Sequence, residues 1–201
     1  MLFQLIITLF IILNIYFIFN LYLIDINSSL KLAKNINELK LQLYNKHPVL
    51  ISLPKEINLD NLNLDHCYKN IDKFNNLEIN NKINFDPILL NSNLLCNFKY
   101  SLSNFLKKDI ISFKKCLNNY HIISCLNGDD FYIYLLHPKY KDLKHDEALK
   151  YSEKVLVKPY DILIIPFGWK YLQEINNKTI NYHIDIDNYF TFIHNSILNK
   201  I

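Results

Sequence analysis

The segment Pro159–Trp169 constrains the fold of this chain more than any other stretch. It contains the single tryptophan of the 201-residue sequence and one of its two glycines, Gly168. A proline and an acidic residue precede the apolar run Ile162–Ile165, and a second proline follows it. This order is typical of a turn, a buried strand, a second turn and an aromatic anchor. The segment therefore predicts a buried strand whose end is held by Trp169.

Composition excludes several classes of function. Hydrophobic residues make up 50% of the chain, which is enough for one modest domain with a sizeable core. The basic residues are all lysine and the net charge is only +3, so nucleic-acid binding has no support. Two glycines in total leave no room for a glycine-rich phosphate loop. The scattered cysteines predict free thiols rather than a zinc site or disulfides: Cys67, Cys96, Cys116 and Cys125.

Residues 1–24 contain no charged side chain, and Asp25 is the first acidic residue. An apolar run of this length predicts a transmembrane helix, so we expect a single-pass anchor in a lipid bilayer. The lysines that follow place the rest of the chain in the cytoplasm by the positive-inside rule. The glycosylation triplets Asn27–Ser29 and Asn177–Thr179 indicate the opposite orientation.

Residues 25–45 predict a juxtamembrane stalk helix capped by Ser28 and Ser29. Its leucines and isoleucine recur at spacings of three and four, at Leu32, Ile36, Leu39 and Leu43. This seam favours packing on the chain's own domain, and a short dimeric coiled coil is the alternative.

Residues 46–201 predict a mainly-β domain, either a sandwich or a barrel. We expect a hairpin of Tyr120–Leu126 and Phe131–Leu136 around the turn Asn127–Asp130. Short helices are predicted at 101–108 and 192–198. Further strands are predicted at 49–53, 77–79, 82–85, 110–113, 155–157, 162–165, 171–172 and 179–186.

The segment Pro159–Trp169 resembles the closing motif of the Jumonji C and cupin-like oxygenases, which include the factor-inhibiting-HIF type of hydroxylase. Lys46–Ile51, Tyr100–Leu106 and Asn118–Pro138 resemble other parts of the family in the same order. The resemblance spans roughly residues 45–190. It implies a double-stranded β-helix, or jelly roll. In the family this fold holds Fe(II) by two histidines and a carboxylate and binds 2-oxoglutarate.

The resemblance also implies that the iron site is lost. The positions of the family's ligands fall on Lys115, Leu117 and Tyr171, or on Lys114 and Cys116 for the first two if the register slips by one. The lysine that binds 2-oxoglutarate is replaced by Asp129 or Asp130. We therefore expect no catalytic, cofactor-binding or metal-binding residue at the family's positions.

The histidines offer other sites. His183 and Asp185 form an H-x-D pair on a predicted strand, and with His194 they make an alternative metal set, although we expect this stripe to face solvent. His121 is expected to be a satisfied core histidine, and a His66–Cys67 pair is disfavoured because adjacent strand residues point apart. A loop cluster is expected to be solvated: His137, His145, Asp146 and Glu147.

These observations favour a membrane-anchored, cupin-like domain without catalytic activity that acts through a protein partner or as a homodimer. One alternative is an active Fe(II)/2-oxoglutarate hydroxylase with misaligned or relocated ligands. Another is a structural single-pass membrane protein.

Overall fold

A computed structural model describes residues 2–22, 24–52, 95–105, 109–140, 142–159, 161–175 and 178–198. The predicted strands at 77–79 and 82–85, and the His66–Cys67 pair, lie outside these residues. In the described part of the chain the helices are α1 (Leu2–Tyr22), α2 (Ile36–Tyr44), α3 (His145–Tyr151) and α4 (Tyr189–Leu198), with a 3-10 turn at Pro138–Tyr140.

Ten strands lie in the described ranges and form most of the domain. They are β1 (Lys31–Leu32), β2 (Val49–Ser52), β3 (Leu95–Phe105), β4 (Asp109–Lys115), β5 (Tyr120–Gly128), β6 (Phe131–Leu136), β7 (Glu153–Val157), β8 (Asp161–Pro166), β9 (Lys170–Ile175) and β10 (Thr179–Asn188).

The strands form two facing sheets. One sheet has the order β1-β2-β8-β5-β10-β3 and the other has the order β4-β9-β6-β7. From β3 to β10 the chain changes sheet at each connection except that between β6 and β7, which pair with each other. This winding is that of a double-stranded β-helix. The prediction of a mainly-β, cupin-like jelly roll with a few helices is therefore confirmed.

The main core lies between the two sheets. Alternate residues of β6, such as Phe131 and Ile133, are buried there together with Ile123 from β5 and Leu163 from β8. Trp169 is 1% exposed, and its indole Nε1–H donates a hydrogen bond of 3.1 Å to the backbone oxygen of Lys46. Burial of such a large side chain with its polar atom paired is strongly stabilising. Trp169 is thus the anchor that the sequence predicts.

The prediction of a transmembrane anchor at residues 1–24, and of a single-pass location with it, is wrong. Within the described residues, no helix is both long and apolar enough to cross a membrane. The second half of α1 instead packs on the domain. The ring of Phe17 lies 5.2 Å from that of Phe167, and Tyr16 stacks on Phe190 of α4 at 4.2 Å.

The predicted hairpin is also wrong, although both of its strands form. β5 pairs with β8 and β10, whereas β6 pairs with β7 and β9 in the other sheet. A type I′ hairpin turn needs positive φ at two residues, but of this turn only Gly128, with φ +101°, has it. A Cβ at Gly128 would lie 2.3 Å from the backbone oxygen of Lys178. The chain crosses at this turn from the sheet of β5 to the sheet of β6.

Two predicted helices differ from the structure. A short helix is predicted from Ser101, but the residues up to Phe105 belong to strand β3. β3 pairs with β10 along nearly its whole length, and this pairing outweighs the local capping pattern. The predicted stalk helix begins only at Ile36, where the side chain of Asn35 accepts a hydrogen bond from the backbone N–H of Glu38. The predicted final helix is confirmed as α4.

Candidate functional site

Strand β10 carries a polar stripe that faces the interior of the jelly roll. Asn181 lies opposite Cys125, and His183 lies opposite Ile123. Directly opposed residues share a face of the sheet, and Cys125 and Ile123 belong to the core between the sheets. Asn181 is completely buried. The expectation that this stripe faces solvent is therefore wrong, because the polar face of β10 is its interior face.

Asp185 and the two histidines form a hydrogen-bonded chain on this face. His121, on β5 opposite Asp185, donates from Nδ1 to the Asp185 carboxylate at 2.5 Å. The Nε2 atom of His121 shares a second hydrogen bond, of 3.4 Å, with Nδ1 of His183. The remaining ring nitrogen of His183, Nε2, is a donor in one tautomer of the neutral ring and an acceptor in the other. The expectation that His121 is a satisfied core histidine is confirmed.

Burial and neighbouring charges set the pKa values of His183 and Asp185. Burial, followed by the charges of His121 and Lys114, lowers the pKa of His183 to about 3. Burial raises the pKa of Asp185, but the hydrogen bond and charge of His121 outweigh burial and hold the pKa below its usual value. Near neutral pH the pair is a neutral His183 imidazole and an ionised Asp185 carboxylate.

The facing sheet adds Tyr171, Lys114 and Cys116. The ring of Tyr171 stacks on that of His121 at 4.9 Å, and Lys114 lies opposite Tyr171 in the pairing of β4 with β9. Cys116 follows β4 and is 2% exposed, within the core between the sheets. Burial raises the pKa values of the Cys116 thiol and the Tyr171 phenol. Both groups therefore stay protonated at neutral pH.

Three interior nitrogens are buried without a hydrogen-bond partner among the described residues. They are Nε2 of His183, Nδ2 of Asn181 and Nε2 of Gln173. Gln173 lies on β9 opposite Ile133, so its side chain also faces the space between the sheets. A buried polar group without a partner costs about 1–3 kcal/mol. The interior therefore holds unused hydrogen-bonding capacity on both sheets.

The remaining predicted site residues lie elsewhere. Lys115 pairs with Lys170 rather than with Tyr171, and the backbone oxygen of Leu117 accepts a hydrogen bond from Asn195. The ring of His194 packs on Phe17 at 4.4 Å. His194 is thus held by an aromatic contact with α1, while His183 and Asp185 adjoin His121. In the described ranges, no group of three or more His, Cys, Asp or Glu side chains could hold a metal ion.

The predicted loop cluster is divided between two environments. His137 is buried, and its Nε2–H donates to the backbone oxygen of Asp25 at 2.8 Å. His145 begins α3 and lies 5.7 Å from the ring of Phe113. Of the scattered cysteines, Cys116 and Cys125 are buried thiols in the core between the sheets.

Sequence reasoning did not identify Gln173 and Asn181 as site residues. Asn181 could have been found, because it stands two residues before His183 and shares its face in a strand. Gln173 carries no such signal, since its role depends on how β9 faces β10 across the core.

No family model and no curated protein matches the chain. Among solved structures, a cupin superfamily protein from Desulfitobacterium hafniense has 13% identity and a TM-score of 0.32, covering 45% of this chain and 68% of its own. A protein from Neisseria meningitidis has 9% identity and a TM-score of 0.32, covering 46% of this chain and 80% of its own. Both likenesses are too slight to carry an argument about function, and the cupin-like fold rests on the strand order.

Proposed function

We propose that this chain is a non-catalytic, cupin-like domain that binds a small carbonyl-containing molecule in the interior of the jelly roll. The observation that carries the proposal is the set of buried, unpartnered nitrogens on Gln173, Asn181 and His183. A ligand that pairs with these atoms would recover the free energy that their burial costs.

The chemistry of these atoms favours a carboxylate or amide carbonyl. The side-chain amides of Gln173 and Asn181 present N–H donors, which pair with a carbonyl oxygen. Lys114, an exposed residue opposite Tyr171 whose charge acts on His183, adds a positive charge that attracts a carboxylate. Neutral His183 carries one ring N–H and one lone pair, so its unpartnered Nε2 can pair with either an acceptor or a donor group of the same ligand.

The same residues do not fit an Fe(II) site. The carboxylate of Asp185 is already bonded to His121, and the nearby Lys114 ammonium would repel a metal cation. The Cys116 thiol stays protonated, whereas a cysteine binds metals as the thiolate. The domain is therefore proposed to work without iron and without 2-oxoglutarate turnover.

Calorimetric titration with metal-free protein tests this function. The ligands are a panel of mono- and dicarboxylic acids, their primary amides and the alcohols of matched size. We expect saturable binding of at least one acid or amide and none of the alcohols. Gln173→Met, which removes one amide donor at nearly constant volume, is expected to weaken binding about tenfold, as the loss of one hydrogen bond predicts.

Gln42→Met is the matched control, because Gln42 lies on α2, outside the interior, and is only half-buried. It should bind the same ligand with unchanged affinity. Failure of every acid and amide to bind would contradict the proposal, as would equal affinity in wild type and Gln173→Met. Binding that requires added Fe(II) would favour the oxygenase alternative instead.

A second candidate function is self-association through α1. One face of this helix packs on the domain, with Leu13 buried and Phe17 against Phe167. The opposite face carries large apolar side chains that are more than half exposed: Ile11, Ile15, Ile18 and Tyr22. α1 contains no charged residue, so a complementary surface must also be apolar and uncharged. The same face of a second copy meets this requirement in a two-fold dimer.

Light scattering coupled to size-exclusion chromatography tests this candidate. We expect wild type to elute as a dimer and Ile18→Lys to elute as a monomer, because a charge at the centre of the face would be buried without a partner. Tyr44→Lys, at an exposed position on α2, is the control and should stay dimeric. A monomeric wild type, or a dimeric Ile18→Lys, would contradict self-association through this face.

A further inference from the structure

A cleft of about 300 Å³ opens beside Trp169, apart from the interior polar stripe. It lies between the segment that follows α1, the 3-10 turn and the junction of α3 with β7. None of its lining residues belongs to the interior site. Its polar and aromatic lining includes Ser28, His137, Lys139, Tyr140, Tyr151 and Glu153.

The floor of the cleft is neutral and has one unused hydroxyl group. Ser28 is 8% exposed, and its Oγ has no hydrogen-bond partner within the described residues. Both ring nitrogens of His137 are engaged: Nε2–H donates to the Asp25 backbone oxygen, and Nδ1 accepts from the backbone N–H of Lys139. Burial lowers the pKa of His137, so its ring is neutral near pH 7.

The walls combine an aromatic surface with two opposite charges. Tyr140 and Tyr151 stack at 4.9 Å, and the Tyr151 side chain is largely open to solvent. The Lys139 ammonium lies over the Tyr140 ring and donates to the backbone oxygen of Ile26. Glu153 accepts a hydrogen bond from the backbone N–H of Leu30. One ammonium and one carboxylate leave the cleft without a net charge.

These features select against strongly charged ligands. An anion would meet the Glu153 carboxylate, and a cation would meet the Lys139 ammonium. An open tyrosine face next to hydrogen-bonding groups suits a molecule with one apolar face and several hydroxyl groups. Ser28 and Glu153 can accept hydrogen bonds from such hydroxyls. The volume is at the lower end of the range for ligand pockets, roughly 300–1,000 Å³.

We propose that this cleft binds a neutral polyhydroxyl compound of about the size of a monosaccharide. The site is independent of the interior carbonyl site, so each proposal can fail without the other.

Saturation-transfer NMR followed by calorimetric titration tests this site in the full chain. The probes are neutral hexoses and pentoses, glycine and alanine as zwitterions, and inorganic phosphate. We expect saturable binding of at least one sugar. Glu153→Gln, which keeps an oxygen to accept from Leu30, is expected to weaken binding about tenfold because a charge-assisted hydrogen bond is lost. Tyr151→Leu should weaken it by a similar factor through loss of the aromatic face.

Tyr44→Leu is the control for removal of an exposed tyrosine, because Tyr44 is 81% exposed on α2 and does not line the cleft. Tyr44→Leu and the interior variant Gln173→Met should both keep wild-type affinity for the sugar. Absence of sugar binding would overturn the proposal. Sugar binding that survives both Glu153→Gln and Tyr151→Leu, or binding of the zwitterions or phosphate in place of sugars, would overturn it as well.

Discussion

Lys46 is the one non-glycine residue among those described that has a positive φ, 59°. It follows Asn45, the C-cap of α2. Its N–H bonds to the backbone oxygen of Leu43, and the N–H of His47 bonds to that of Gln42. This pair of bonds is a Schellman motif, in which glycine is the usual residue at the left-handed position. Lys46 thus holds a strained backbone at the point where its carbonyl oxygen also binds Trp169.

Lys46→Gly is expected to raise the free energy of unfolding by roughly 0.5–1 kcal/mol, because glycine adopts this conformation without a steric cost. Urea unfolding followed by the fluorescence of Trp169 measures the change. Asn45→Gly is the control, since Asn45 has φ −78° and gains nothing from glycine. A Lys46→Gly variant less stable than wild type would show that the lysine side chain contributes more than the backbone strain costs.

His183 links the stability of the fold to pH. Its pKa is lowered to about 3 in the folded state, by burial first and then by the charges of His121 and Lys114, with Asp185 acting in the opposite sense. An unfolded histidine titrates near 6.5, so between about pH 6.5 and 3 the unfolded state binds the proton and the folded state does not. His183 therefore lowers stability as the pH falls through this window.

We expect the free energy of unfolding to fall with a slope of up to about 1.4 kcal/mol per pH unit from this residue. His183→Gln, which cannot titrate, should reduce the slope of wild type between pH 6.5 and 4. His145→Gln, at an exposed histidine on α3, should not. Equal slopes for wild type and His183→Gln in urea unfolding series would exclude the burial of a neutral His183.

At the scale of the element, β10 shows how far the sequence allows prediction. Its alternation of apolar and polar residues predicts the strand and the shared face of His183 and Asp185, and both are found. The direction of that face was predicted wrongly, because alternation says which residues share a side and not which side is buried. A polar face normally points to solvent; here β9 and its sheet cover it.

The turn at Asn127–Asp130 and the segment from Ser101 gave wrong predictions for a related reason. Local residues describe a hairpin and a helix, but sheet partners distant in sequence determine the outcome. β10 pairs with both β5 and β3, and these partners lie more than 50 residues away from it in the chain. Only the complete winding of the two sheets explains either element.

The free energy of unfolding of a variant at Gln173, on β9, tests the interior site. Its buried Nε2 has no partner in the described part of the chain, so Gln173→Met should raise the free energy of unfolding of the unliganded protein by about 1 kcal/mol. The same change at Gln42 should stay within about 0.5 kcal/mol. Urea unfolding measures both. A destabilised Gln173→Met would show that the amide is satisfied in the free protein and is not kept for a ligand.

At the scale of the whole molecule, the jelly roll is predicted from the sequence, whereas only some residues of its interior site are. Trp169 and the apolar run before it predict a buried strand and its anchor correctly, because turn residues and apolar runs mark strands locally, whereas the jelly roll is implied by the resemblance of this segment to a known family. The interior site required three-dimensional information, since Gln173, His121 and His183 come from three different strands. The transmembrane prediction for α1 is wrong because a helix without charged residues can pack on a domain, as Phe17 does on Phe167.

The central claim is that the interior of this jelly roll serves a carbonyl ligand and not iron. Anaerobic equilibrium dialysis of the full chain against Fe(II), with and without 2-oxoglutarate, followed by metal analysis, tests it most directly. We predict far less than one iron per chain in both conditions, and the same low content in His183→Gln. One tightly held iron per chain, lost in His183→Gln and accompanied by 2-oxoglutarate turnover, would contradict the account.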